Sequence, residues 1–130
     1  AALEICLEIA THAAVPRADL FVALSGPPSF GPGALPPIAA AEPAAYSAAV
    51  DELRSLGRRL GAAGVCAHLH CTGSAAFGAE ALRRLVLPCS GSLRVERVPG
   101  SAAAAAALRA EYAAIARRGT AAGTAALVAV

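Results

Sequence analysis

AAYSAAVDELRSLGRRLGAAGVCAHLHCTGSAAFGAEALRRLVLPCSGSLRVERV, residues 44–98, reads as helix, strand, small-residue loop, helix and strand. The first helix ends at Gly61 and Gly64, as helix C-termini prefer, and Pro88 stops the second. Between them, residues 65–71 (VCAHLHC) form a strand that runs into Thr72-Gly73-Ser74. Strands alternating with helices of this length point to parallel pairing and an α/β layer. Glycine and serine at the start of a helix let backbone N–H groups approach a phosphate, whether of a nucleotide or of an RNA backbone.

Outward from this stretch, Leu3, Ile5, Leu7 and Ile9 alternate with Glu4, Cys6 and Glu8, the pattern of a half-buried strand. A turn with Pro16 leads to a second strand over residues 18–24, and the short connection predicts an antiparallel hairpin. Residues 25–43 are rich in glycine and proline and read as a loop. A helix over residues 101–118 carries Leu108, Tyr112 and Ile115 as its stripe, and residues 125–130 read as a short final strand or a tail. The expected fold is a single α/β domain over residues 1–130, its mixed sheet holding about four to five strands. An N-terminal hairpin precedes the strand–helix alternation, and helices pack on the sheet.

Composition limits the chemistry. Of 130 residues, 57% are hydrophobic, but much of that is alanine, which buries little area; aromatics are only 4%. Lysine is absent, so all 11 basic residues are arginine. This excludes a Walker A phosphate loop and any Schiff-base chemistry. A net charge of +2 is too small to imply nucleic-acid binding by itself, although arginine suits bidentate phosphate contacts. Four cysteines do not make a disulfide-dense scaffold and suggest a reducing compartment. No membrane insertion is expected, because prolines break the one long uncharged stretch, residues 20–41. The chain opens without methionine, which suggests that an N-terminal piece is missing or was removed.

Candidate sites follow from spacing. Period two places Cys66, His68 and His70 on one strand face, a row of three zinc-ligand types. No fourth ligand or general-base carboxylate accompanies them, so no metal and no cofactor is assigned. Cys71, at a strand end before a helix, has the position of an activated thiolate and equally that of a packing residue. Neither a Gly-x-Ser-x-Gly elbow around Ser74 nor a dinucleotide fingerprint exists, and the chain is not read as an enzyme. The remaining signal is basic: Arg54, Arg58, Arg59, Arg83, Arg84, Arg94 and Arg97 gather around the two helices and the loop.

Residues 20–26 (LFVALSG), 44–65, 73–85 (GSAAFGAEALRRL) and 93–99 (LRVERVP) carry a resemblance over about residues 5–100. Their order resembles the small-subunit ribosomal protein eleven family. The first segment is similar to the family's second strand and its Leu-Ser-Gly turn, the next to its alanine-rich helix. Residues 73–85 occupy the place of its glycine-proline loop and following helix, and residues 93–99 that of its last strand. This chain has Thr72-Gly73-Ser74 for the glycine-proline loop, and an alanine-rich helix for the family's basic tail. The resemblance implies a structural ribosomal protein, with Gly73, Ser74 and the seven arginines contacting ribosomal RNA phosphates. Its partners would be ribosomal RNA and neighbouring ribosomal proteins, with no small-molecule substrate, in a diverged mitochondrial small subunit. Two other classes stay open. One is a non-catalytic scaffold or interaction subunit of a large organellar complex, for which an apolar protein-facing patch is expected. The other is a small enzyme binding a phosphate-bearing ligand, which requires a pocket lined by Cys71, His70 or Ser74.

Overall fold

Leu20, Val22 and Leu24 alternate with Asp19, Phe21 and Ala23, and the strand they form is buried on both faces at its centre. It is the middle of the sheet. The computed structural model describes residues 2–12, 17–31, 33–36, 42–73, 78–96, 102–119 and 125–129. The elements run α1 (Ala2–His12), β1 (Ala18–Leu24), α2 (Pro43–Ala62), β2 (Val65–Thr72), α3 (Ala79–Val86), β3 (Ser92–Glu96), α4 (Ala102–Gly119) and β4 (Ala125–Ala129). Among the described residues the strand order is β3-β2-β1-β4. Every pair is parallel, with Leu20 opposite Ala67, His68 opposite Ser92, and Phe21 opposite Leu127.

Parallel pairing requires a crossover for each connection, and α2, α3 and α4 supply them. The steps from β1 to β2 and from β2 to β3 go one way, with α2 and α3 on one face. The return from β3 past β1 to β4 goes the other way, and right-handed crossovers then put α4 on the opposite face. Tyr112 of α4 accordingly meets Phe21, whereas Leu53, Leu56 and Leu60 of α2 pack with Leu20, Val22, Ala67 and Leu69. Pro43 opens α2 at a position where its missing N–H costs nothing.

The mixed sheet with an N-terminal hairpin is corrected by this architecture. Residues 3–10 lie within a helix, α1, and β1 has parallel neighbours on both sides. The alternation of Leu3, Ile5, Leu7 and Ile9 also contains the helical set Leu3, Cys6 and Leu7, and the helical set wins. Leu7 is buried and Leu3 and Cys6 pack against the core, while Ile5 and Ile9 are 57% and 62% exposed. Glu4 in the first turn and His12 in the last suit the helix dipole, and Thr11 donates to the Leu7 carbonyl at 2.8 Å. Among the described residues, no helix is long and apolar enough to cross a membrane.

α2 and α3 approach closely because glycines face the contact. A Cβ on Gly57 would collide with the Leu85 carbonyl, and one on Gly61 would lie 2.6 Å from the Pro88 oxygen. That proximity seats Leu82 and Leu85 in the core. Gly57→Ala is therefore expected to destabilise by about 1–3 kcal/mol, although alanine is the better helix former. Urea denaturation reads the change. Gly26→Ala, where a Cβ meets open space, is the control and should leave the midpoint almost unmoved.

Candidate functional site

The face of the sheet under α4 carries a layer of polar groups. Period two does place Cys66, His68 and His70 on this one face, and the two histidines find their partners on β1 and β3. The Asp19 carboxylate lies 3.1 Å from His68 Nε2, and His68 Nδ1 lies 2.9 Å from the Ser92 hydroxyl. Ser92 donates to Glu111 at 3.1 Å. Arg94 donates to Glu111 at 3.2 Å and to Glu96 at 3.0 Å, and the other Glu96 oxygen is 3.8 Å from His70 Nε2. Phe21 stacks on His68 at 5.2 Å and meets Tyr112 edge-on at 4.6 Å.

Carboxylate, imidazole and hydroxyl in line have the composition of a nucleophilic triad. A hydroxyl has one proton, and Glu111 competes with His68 for that of Ser92. His68 ties Ser92 to Asp19, linking β3 through β2 to β1. The void beside the pair is about 10 Å³, room for about one water, and His70 is among the residues lining it; His70 Nδ1 is buried with no hydrogen-bond partner among the described residues. No group of three metal-capable side chains occurs among the described residues. The layer works as a clamp that fixes α4 on the sheet.

Two of the thiols are buried in the core. Cys71 points into the core on the other face, and burial pushes it up to about 11. Burial also raises Cys89, whose sulfur accepts the Ala67 N–H at 3.4 Å and faces the Val86 carbonyl at 3.3 Å. An activated thiolate at Cys71 would need the opposite shift.

Three of the arginines are paired with carboxylates. Arg54 pairs with Asp51 at 3.3 Å and Arg84 with Glu80 at 3.2 Å, each within its own helix, while Arg94 belongs to the clamp. Arg58, Arg59 and Arg83 are exposed on the neighbouring helices α2 and α3. Ser74 and Arg97 lie outside the described residues. Gly73 gives its N–H to the Glu96 carbonyl at 3.0 Å, so this amide is already used. Arg58 and Arg59 sit near the end of α2, beside the start of β2, whereas Gly73 follows its end. An eight-residue strand separates the two by about 26 Å.

The concave feature is elsewhere, at the carboxyl end of β1. This is the strand from which the winding reverses, the position where open α/β sheets form their crevice. A cavity of about 450 Å³ opens there on the face covered by α1, α2 and α3. Leu3 and Cys6 of α1, Val22 and Leu24 of β1, and Leu53 and Leu56 of α2 form much of its wall. Residues 25–30 and Gly33 arch over it. Among the described residues no acidic, basic or histidine side chain lines it, and its hydroxyls are Ser25 and Ser29. The arch is built rather than loose. Leu35 donates to the Pro28 carbonyl at 2.7 Å, Ala34 to Gly31 at 3.0 Å, and Gly33 takes a left-handed φ of 78° against Leu53. Phe30 stands on it 85% exposed. The sequence reading saw only a proline-rich loop here, because the cavity wall is drawn from five separate elements.

Two outcomes follow from these burials. Because the folded state holds the Cys71 proton more tightly than an unfolded thiol does, its contribution to stability is complete below pH 9. It is lost as pH rises from 9 toward about 11. Urea midpoints between pH 8 and pH 11 should fall, and Cys71→Ala should flatten that slope. His68→Ala strands the buried Asp19 carboxylate and should cost about 3–5 kcal/mol, with Asp19→Ala plus His68→Ala costing less than the sum of the singles. Comparison with protein-family models, with curated proteins and with solved structures finds no match to this chain.

Proposed function

We propose that this chain is a non-catalytic interaction module, a scaffold that receives an uncharged, apolar element of a partner in the cavity at the end of β1. The observation that carries this reading is the lining. A cavity of about 450 Å³ is of ligand-binding size, and among the described residues no acid, base or histidine faces it. The polar groups that could do chemistry are engaged with one another on the opposite face of the sheet, under α4. Neither a metal nor a cofactor is needed for this role.

A second reading keeps the ribosomal resemblance: a structural protein of a mitochondrial small subunit that contacts ribosomal RNA. The observation favouring it is the exposure of Arg58, Arg59 and Arg83 on adjacent helices, a basic surface suited to backbone phosphates. The separation of Gly73 from Arg58 and Arg59 speaks for two small contacts rather than one phosphate cradle.

One experiment separates the two readings. The native assembly is run on a sucrose gradient, with and without ribonuclease, for the wild type, Gly26→Leu, and Arg58→Glu with Arg83→Glu. Gly26 borders the cavity and a Cβ there meets nothing within 4 Å, so a leucine tests the cavity by adding bulk at its edge. The scaffold reading expects ribonuclease-resistant co-migration that Gly26→Leu abolishes and the charge reversals spare. Ribonuclease-sensitive co-migration with a small ribosomal subunit, lost in the arginine variant, would replace it with the RNA reading.

A further inference from the structure

We infer that the cavity at the end of β1 also binds a free small molecule, an uncharged and chiefly hydrocarbon compound with one neutral polar end, such as a long-chain alcohol. The inference rests on the same lining as the docking reading and goes beyond it, because a free ligand needs no partner protein. Depth is its first support. The walls include Leu69, Leu82 and Leu85 of the core, so the space runs inward from the arch rather than along the surface. Protein interiors are otherwise packed as densely as organic crystals, with few voids larger than a water molecule. At about 450 Å³ this one is an exception. An apolar cavity of about 150 Å³ stays dry and takes up benzene, so by proportion this one suits a molecule on the order of 18 non-hydrogen atoms.

Charge selects within that size class. Among the described residues no arginine, histidine or carboxylate lines the cavity. A carboxylate or phosphate carried into it would lose hydration and meet no counter-charge, which disfavours fatty acids and nucleotides. Water is poorly held as well, since it needs about two to four polar partners and the hydroxyls are Ser25 and Ser29, both on the arch. The same hydroxyls can bond one neutral alcohol, ester or ketone group at the mouth. The site is also preformed. Its walls come from α1, β1, α2, β2 and α3, and hydrogen bonds from Leu35 and Ala34 brace the arch, which spares a ligand the cost of ordering it.

Fluorescence titration of the whole chain with N-phenyl-naphthylamine, a neutral probe of this size class, provides the first measurement. Saturable binding of one probe per chain is expected, with Kd on the order of 10 µM. Decanol should displace it, whereas decanoate at about pH 8 and the sulfonated probe anilinonaphthalene sulfonate should bind at least about tenfold more weakly. Gly26→Leu on the arch and Cys6→Phe on α1 should each weaken the neutral probe at least about tenfold, with circular dichroism unchanged. The second measurement locates the site without a substitution. Cys6 lines the cavity and Cys66 lies on the other face of the sheet, so saturating decanol should slow alkylation of Cys6 by N-ethylmaleimide and leave Cys66 unaffected. No saturable binding, equal binding of the neutral and sulfonated probes, or an unchanged alkylation rate at Cys6 would each overturn the inference. If it fails in one of these ways while Gly26→Leu still removes a ribonuclease-resistant partner from the gradient, docking stands alone. If decanol protects Cys6 and Gly26→Leu leaves that co-migration intact, the ligand site stands and docking fails.

Discussion

β1 is hydrogen-bonded along both edges and covered on both faces, and the rest of the structure follows from that position. A strand with parallel neighbours on each side cannot be reached by tight turns, so each connection is a crossover with a helix. Handedness then assigns the helices: those between β1, β2 and β3 share one face, and the one that crosses back to β4 takes the other. Because all strands point the same way, the segments leaving them collect at one end of the sheet. The segment leaving β1 is stiffened by proline and cannot collapse onto the strand end, so it spans a space between α1 and α2. The cavity is a consequence of where the sheet reverses its winding and of what the next residues are.

The two faces of the sheet are held by different forces. Under α2 and α3, Leu53, Leu60, Leu82 and Leu85 interlock with β1 and β2, and glycines at the helix contact allow close approach. α4 cannot do the same, since its run of alanines from Ala102 to Ala107 offers little area to bury. Its attachment depends on Tyr112, on Ile115, and on a carboxylate. Glu111 accepts from Ser92 and Arg94, and a hydrogen bond to a charged group is stronger than one between neutral groups. Asp19, His68 and Ser92 transmit that attachment into the centre of the sheet. Such a layer stabilises when its charged members are paired, because an isolated charge would be costly to bury. The polar groups are therefore concentrated where the apolar supply is weakest.

The legible parts of the chain were those where one periodicity excludes the other. Residues 65–71 read as a strand and form one, and the stripe of Val50, Leu53 and Leu60 marks α2. Residues 3–10 satisfy both periods, and only contact with α2 and β1 selects the helix. The alignment of Cys66, His68 and His70 on one face was visible from period two, but the meaning of the row was not. His68 is defined by Asp19 and Ser92, which lie 49 and 24 residues away in sequence. The same holds for the arginines, whose proximity along the chain conceals that Arg58 and Gly73 lie toward opposite ends of β2. Least legible was the cavity, since Leu3, Val22, Leu53 and Leu82 have no sequence relation that announces a common wall.

The division of labour between the faces bears on what the molecule can do. Catalysis needs a reacting group and a space for substrate within hydrogen-bond reach of each other. Here the imidazoles and carboxylates face α4, with a void of about 10 Å³ beside them, and the large cavity opens on the other side of the sheet. Val22 and Leu69 line that cavity from the strands whose neighbouring residues, Phe21 and His68, point the other way. A molecule in the cavity meets aliphatic walls and proline, while a group near His68 meets a closed hydrogen-bond chain. Moving either feature to the other's side would require shifting a strand by one residue, which would invert its side chains across the sheet and bury Asp19 among leucines. The register that stabilises the sheet therefore also keeps the imidazoles and carboxylates on one face and the cavity on the other.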